Sequence, residues 1–312
     1  MQPERAWLAW VRHAAQAAAP PPRRELRLGI GDDAAILRPR RGWELVLTTD
    51  LLIEDVHFLR LRDPAATVGR RLTTRALSDL AAMGAGPLAL LISTALPDHL
   101  PVAWARALHR GLLAAAREAG AALIGGDCAR SPHGIVLDVV GVGQVPAGRA
   151  LRRSGARPGD RIFISGPLGE AAWGRELVHG GLTARTAAAH RARARHLRPR
   201  ARWELGQALR GRAGAALDVS DGLAVDLHHL CDESGVGAQI FADRLPAPAG
   251  LDRALFGGED FELLFTLPNR RRLPRAFQAH EIGVITSRRG CWLHAPSRAP
   301  RRLSSQGWQH WA

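Results

Sequence analysis

Apolar residues recur at helical spacing over residues 3–18, which predicts an amphipathic helix at the start of the chain. Two short apolar runs follow, at Ala34–Leu37 and Glu44–Thr48, and both read as strands. Asp63-Pro64 supplies an N-cap with proline at the first helical position, opening a long helix that runs to about Met83. Leu88–Thr94 reads as a strand, and a second helix runs from Pro101 to near Gly120, where glycine is the expected stop. Ala122–Ile124 and Ile135–Val145 read as further strands. The segment Leu80–Pro97 is uncharged for 18 residues, a length that reaches the membrane-spanning range. Gly84, Gly86, Pro87 and Pro97 interrupt it, so the pattern predicts a helix end, a turn and a buried strand instead.

The periodicity stops at Pro146–Asp160, a stretch rich in Gly, Pro and Arg, and this predicts domains at 1–147 and 148–312. In the second half, strands are expected at Arg161–Ile164, Ala215–Val219 and near 238–242, 261–267, 281–286 and 291–294. Helices are expected across 167–211 and at Leu223–Glu233. Strands and helices mix without clean alternation, which favours an α+β class over a doubly wound sheet.

Composition narrows the function more than the fold. At 312 residues, 46% hydrophobic and 23% charged, the chain is globular and long enough for two cores. All 43 basic residues are Arg, there is neither Lys nor Tyr, and the net charge is +14. Such one-sided usage is what a nucleotide-composition bias produces, and it lowers the weight of the charge as a sign of nucleic-acid binding. The densest basic stretch, His190–Arg202, reads as a solvated helix face, with a basic patch as the alternative. Without Lys there is no Walker-A loop, no protein-kinase strand lysine and no Schiff base to pyridoxal phosphate. Cys128, Cys231 and Cys291 lie far apart without metal-ligand spacing, which fits a reduced, cytoplasmic setting. The charged first segment is unlike a signal peptide.

Seven aspartates stand at the ends of short apolar runs beside Gly, Ser or Thr: Asp32, Asp33, Asp50, Asp79, Asp127, Asp218 and Asp221. Each alone is compatible with a turn or a helix cap. Together they point to oxygen ligation of a hard cation, since carboxylates beside apolar segments are costly unless paired or metal-bound. Thr48 and Thr49 add hydroxyls beside Asp50. Gly125-Gly126-Asp127 allows a ligand to approach the backbone. Asp218 and Asp221 lie three apart at a strand-to-helix turn, with Ser220 between them and within reach of a phosphate. Gly257-Gly258-Glu259-Asp260 reads as a tight turn or a ligand approach.

The ordered set GIGDDAAIL, TTDLLIEDVHF, LSDLAAMGA, LIGGD, RRSGARPGD, HLRP, DVSDGL and GGEDFELLFT resembles the thiamine-monophosphate kinase family. That family belongs to the superfamily holding aminoimidazole ribonucleotide synthetase, selenophosphate synthetase and a hydrogenase maturation protein. The resemblance runs from about residue 26 almost to the end. It implies ATP-dependent phosphorylation of thiamine monophosphate by direct in-line transfer assisted by several Mg²⁺ ions, with K⁺ a further candidate ion. It implies two α+β domains: an N-terminal one with a mixed sheet that pairs in a homodimer, and a C-terminal α/β-type one. The active site would lie in the cleft between them. By the same resemblance Asp33, Thr48, Thr49, Asp50, Asp79, Asp127, Asp218 and Asp221 are metal ligands. Gly126, Asp127, Arg153 and Ser220 are ATP contacts, and His57, Glu259 and Trp308 are contacts to thiamine monophosphate. No nucleic-acid or membrane partner is expected.

The sister families fit less well. The ring-closing synthetase carries a Gly-Thr-Lys element where this chain has TTDLLIEDVHF, selenophosphate synthetase carries a reactive N-terminal Cys or Sec, and the hydrogenase protein ends in Cys. An ATP-dependent reaction on another acceptor, such as aminoimidazole-type ring closure, remains the alternative. The chain departs from the family at Cys128, where Thr is usual, and in the acids Glu54-Asp55. The segments 221–259 and 268–305 are short.

Overall fold

The computed structural model describes residues 4–21 and 24–308, so Pro3, the expected start of the first helix, lies outside the described residues. The chain divides into two compact units, residues 1–80 with 85–148, and residues 81–84 with 149–312.

The first unit contains α1 (Glu4–Ala18), β1 (Leu26–Leu28), β2 (Ile36–Leu37), β3 (Trp43–Ile53), α2 (Ala65–Ala82, its last two residues belonging to the second unit), β4 (Gly86–Leu96), α3 (Val102–Glu118), β5 (Ala122–Arg130) and β6 (Val136–Pro146). Four strands form a sheet in the order β3-β6-β4-β5, in which only β4 and β5 run parallel. Side chains alternate across a sheet. Leu52, Leu90, Ile92, Leu137 and Val139 therefore point to one face and pack with Val68, Leu72, Leu108 and Leu112 of α2 and α3. We call this the inner face. On the outer face the β1–β2 pair covers part of the sheet through Leu26 and Leu37. Leu45, Leu47, Leu51 and Val136 remain exposed there, Leu47 at 66%.

β4 exceeds its expected span by two residues at each end, and two other strands are much longer than the pattern predicts. β3 continues past Thr48 to Ile53, so Thr48-Thr49-Asp50 lies within the strand and not at its end. The alternation persists through Asp50, since Leu52 is fully buried while Leu51 is exposed, but the charge masks it. β5 likewise runs through Gly125-Gly126-Asp127 to Arg130, because backbone pairing with β4 needs no apolar side chain. The uncharged segment resolves into the end of α2, a turn and β4. Among the described residues no helix is long and apolar enough to cross a membrane.

The second unit adds β7 (Arg161–Ile164), α4 (Glu170–His179), α5 (Ala187–Leu197), α6 (Trp203–Leu209), β8 (Ala216–Val219), α7 (Leu223–Ser234), β9 (Gly237–Phe241), α8 (Leu251–Phe256), β10 (Glu262–Leu267), β11 (His280–Thr286), β12 (Gly290–His294) and β13 (Arg301–Arg302). Its seven strands follow the order β13-β12-β9-β11-β7-β10-β8, and only β9 and β12 are parallel. Both faces are covered. Ile162, Ile164, Leu217, Val219 and Leu264 pack on α7, while Phe163, Leu263, Phe265 and Leu267 pack on α6. The class is α+β, as expected. Cys231 and Cys291, 60 residues apart in sequence, meet in the core with sulfurs 3.8 Å apart and remain thiols.

Candidate active-site residues

On the inner face of the first unit, β3 presents Thr48 and Asp50 toward α2, which carries Arg75 and Asp79 one turn apart. The Thr48 hydroxyl donates to Asp79, and Arg75 Nε donates to Asp50 Oδ1 at 3.2 Å. Burial pushes the Asp50 carboxyl up to about 6; Asp79 and Asp138 add to the rise, and Arg75 opposes it. Asp50 Oδ2 is buried and has no hydrogen-bond partner among the described residues. A buried carboxylate oxygen without a donor is costly unless a cation meets it. Two carboxylates and a hydroxyl are hard oxygen donors of the kind Mg²⁺ takes. These residues fit such an ion.

The neighbouring residues go elsewhere. Strand alternation turns Thr49 to the outer face, where its hydroxyl donates to Asp138 Oδ1 at 2.8 Å. Asp127 also belongs to that face: Ser93 of β4 pairs with Asp138 on one side and Asp127 on the other. Asp127 is exposed, and its Oδ1 accepts from the Cys128 N–H at 2.8 Å. Gly126 has φ +148°, and a Cβ there would lie 1.9 Å from the Ile92 carbonyl oxygen, so only glycine fits. Asp33 is exposed in the turn before β2, its N–H donating to Asp32 Oδ1. His57 is buried, and its Nδ1 accepts from the Ile53 N–H at 3.1 Å, which puts the neutral ring's proton on Nε2. Arg71 holds the His57 carbonyl at 2.9 Å.

In the second unit the fold gathers residues far apart in sequence. Asp218 is buried in β8, and the chain then turns through Ser220, Asp221 and Gly222 into α7. The backbone N–H groups of Ser220, Asp221 and Gly222 all donate to Asp226 Oδ2, at 3.1–3.2 Å. Burial pushes the Asp226 carboxyl up to about 8, with Asp218 and Asp221 adding to it. The Ser220 carbonyl accepts from the Glu259 N–H at 2.8 Å, and the Asp221 carbonyl from the Trp308 N–H at 3.0 Å. Ser220, Asp221, Glu259 and Trp308 thus form one cluster. Glu259 has φ +65°, a conformation non-glycine residues hold only under constraint. His196 Nδ1 stands 3.9 Å from its carboxylate, and Arg175 lies over the Trp308 ring at 5.4 Å. Asp260 accepts from the N–H groups of Gly169 and Ala171 at the start of α4, and burial pushes its carboxyl up to about 7. Arg153 is exposed, and its carbonyl accepts from the Ser234 hydroxyl.

Sequence reasoning overlooked Arg75, Asp138 and Asp226. Asp138 carries the same mark as the selected aspartates, a carboxylate inside an apolar strand. Asp226 sits four residues past Gly222, in the first turn of its helix.

Residues 31–145 match the AIR synthase related protein N-terminal domain family, and residues 157–294 match the corresponding C-terminal domain family. The thiamine-monophosphate kinase of Salmonella typhimurium is 41% identical over 84% of this chain and 83% of its own length. That of Synechococcus elongatus is 37% identical, with 90% of each chain covered. The crystal structure of thiamine-monophosphate kinase from Stenotrophomonas maltophilia is 38% identical, with a TM-score of 0.82 over 95% of this chain and 98% of that one. AaThiL complexed with AMPPCP and TMP superposes with a TM-score of 0.78 at 33% identity, covering 88% of this chain and 89% of that one. Escherichia coli HypE, a hydrogenase maturation protein, shares the fold at 21% identity and a TM-score of 0.75. With these identities over most of its length, the chain belongs to the thiamine-monophosphate kinase family.

Proposed function

We propose that this protein transfers the terminal phosphate of ATP to thiamine monophosphate, giving thiamine diphosphate and ADP. The observation that carries the reading is the buried, unpartnered Oδ2 of Asp50 beside Asp79 and Thr48. Both substrates are anionic, and a carboxylate-lined site repels them unless cations intervene. Thr48, Asp50 and Asp79 in the first unit and Asp218 and Asp221 in the second are the residues that would hold Mg²⁺; Thr49 and Asp127, on the other face of the first sheet, and Asp33, in the turn before β2, would hold further ions. Bound there, Mg²⁺ supplies charge neutralisation and alignment of donor and acceptor.

The protein's own groups bind and orient. Gly126, Asp127, Arg153 and Ser220 contact ATP, Arg153 through paired guanidinium–phosphate hydrogen bonds. His57, Glu259 and Trp308 contact thiamine monophosphate, and the Trp308 ring suits the cationic thiazolium. The attacking oxygen belongs to a phosphate already ionised near neutral pH, so no strong protein base is needed and transfer is direct. The exposed apolar outer face of β3 and β6 supports pairing of two copies through this sheet.

The test is to incubate protein, ATP, Mg²⁺ and thiamine monophosphate and separate the products by chromatography. Thiamine diphosphate should form one-to-one with ADP and disappear with EDTA. ATP consumption with thiamine monophosphate untouched removes the acceptor assignment. A labelled phosphoprotein trapped during turnover removes direct transfer. Light scattering of the purified protein should give the mass of two chains.

A further inference from the structure

The helix α5 and the extended segment after it form one wall of a cavity of about 570 Å³ in the second unit. Arg191 and Arg195 lie one turn apart on α5, Arg198 caps its C-terminal end, and Pro199 follows. Arg200 and Arg202 continue the lining along the extended chain. Two buried carboxylates lie among these groups, Glu170 and Glu262, exposed by 4% and 0%.

The carboxylates account for only part of the positive charge. Glu262 accepts from Arg202 Nε at 2.8 Å and from Arg195 Nη1 at 3.2 Å. Glu170 pairs with Arg191 and Arg195 at 3.5 and 3.6 Å. Arg198 and Arg200 have no ion pair among the described residues, and both are exposed. The direct ion pairs of this wall join Glu170 and Glu262 to Arg191, Arg195 and Arg202, and none of them involves Arg198 or Arg200. Neutralising the buried acids explains Arg195 and Arg202, but not Arg198 and Arg200.

We propose that this cavity is a binding site for a small anion bearing at least two phosphate groups, held by Arg198 and Arg200 without a metal ion. Guanidinium forks match phosphate oxygens in paired hydrogen bonds and stay charged at every physiological pH. Arg195 and Arg202 are held in place by Glu262 and form a fixed rim. The volume is that of a small-molecule site. A compact anion can meet both guanidinium groups at once, whereas a nucleic-acid strand would need a longer basic track. The site uses none of the residues assigned to the phosphoryl-transfer reaction and stands apart from that reading.

Calorimetry with inorganic pyrophosphate in EDTA, with no ATP present, tests it, because binding through Mg²⁺ is then silent. Saturable one-site binding is expected. It should weaken by about 10-fold or more in the double variant Arg198→Gln/Arg200→Gln, through loss of two charge-assisted contacts. The single variant Arg200→Gln should fall between. Both variants should keep the wild-type circular dichroism spectrum. Absence of saturable binding, or equal affinity in wild type and double variant, overturns the proposal. So does tighter binding of a single-stranded RNA oligonucleotide than of pyrophosphate, lost on the same substitutions, which would make the segment a nucleic-acid surface.

Discussion

The acidic residues of the first unit and those of the second are positioned by different means. On the inner face of the first sheet, Thr48, Asp50 and Asp79 are fixed by side chains: a strand's alternation aims them, a hydroxyl meets one carboxylate, and Arg75 meets the other. Around Ser220 and Asp221 the backbone does the work. Asp226 gathers three consecutive N–H groups, and two carbonyls of the turn accept from Glu259 and Trp308. A side-chain cluster is specified by residue type and tolerates little chemical change. A backbone cluster is specified by chain path and is sensitive to shape. Substitutions that remove charge should therefore act mainly on chemistry in the first region. Substitutions that move the chain should act on binding and stability in the second.

The largest effect is expected from Asp50→Asn. It removes negative charge where Asp50 Oδ2 lacks a partner, while the amide keeps the shape. Turnover should fall by roughly 10³-fold, the scale of losing a central electrostatic group, with circular dichroism unchanged. Near-wild-type kcat at saturating Mg²⁺ would take Asp50 out of the ligand set. Asp226→Ala makes the complementary cut. It leaves three backbone donors of the turn without their acceptor, at a cost of about 3 kcal/mol. Chemical denaturation should show this loss, and KM for ATP should rise with it. A variant as stable as wild type would mean that the turn holds itself.

The contrast also explains what was legible in the sequence. Asp50, Asp79 and Asp218 stand out because a carboxylate amid apolar residues is a local anomaly, and the glycine motifs stand out for the same reason. The extents of β3 and β5 did not, because pairing with β6 and β4 carries those strands through charged and glycine positions. Nor did the split between Thr48 and Thr49: alternation implies it only once the strand is known to continue past them. Asp226 was missed because its role lies in accepting backbone hydrogen bonds, which no residue pattern announces. The proximity of Ser220, Glu259 and Trp308 spans almost 90 residues: β8 pairing with β10 brings the first two together, and the chain after β13 brings Trp308 to Asp221. The short elements β1, β13 and α8 lacked enough periods to register.

Gly258→Ala probes shape alone. A Cβ at Gly258 would lie 2.5 Å from the Ser220 carbonyl oxygen, the atom that accepts from the Glu259 N–H. The turn must shift, at roughly 2 kcal/mol. KM for thiamine monophosphate should rise several-fold with a smaller change in kcat. Equal losses in kcat and kcat/KM with KM unchanged would show that the turn serves the transition state and not substrate binding.

The smallest effect separates the two regions by pH. The carboxyls of Asp50 and Asp226 both stand above their ordinary value of 3.8, at about 6 and about 8, burial being the main cause in each. In EDTA the folded protein therefore retains protons that the unfolded chain has lost. Each raised carboxyl then lowers stability as pH rises from 3.8 to its folded value, about 6 for Asp50, about 7 for Asp260 and about 8 for Asp226. Between pH 6.5 and 7.5 Asp50 is mostly ionised; Asp226 should cost about 1 kcal/mol over that interval, and Asp260, at about 7, adds a smaller share. Asp226→Asn should make this part of the profile much shallower, leaving the share of Asp260, while Asp50→Asn should leave it nearly unchanged and reduce the slope mainly below pH 6. Urea denaturation followed by tryptophan fluorescence at half-unit pH steps distinguishes them. If wild type is flat between pH 6.5 and 7.5, the three N–H donors of the turn outweigh burial and hold Asp226 ionised. The backbone would then stabilise charge in the second region as directly as Arg75 does in the first.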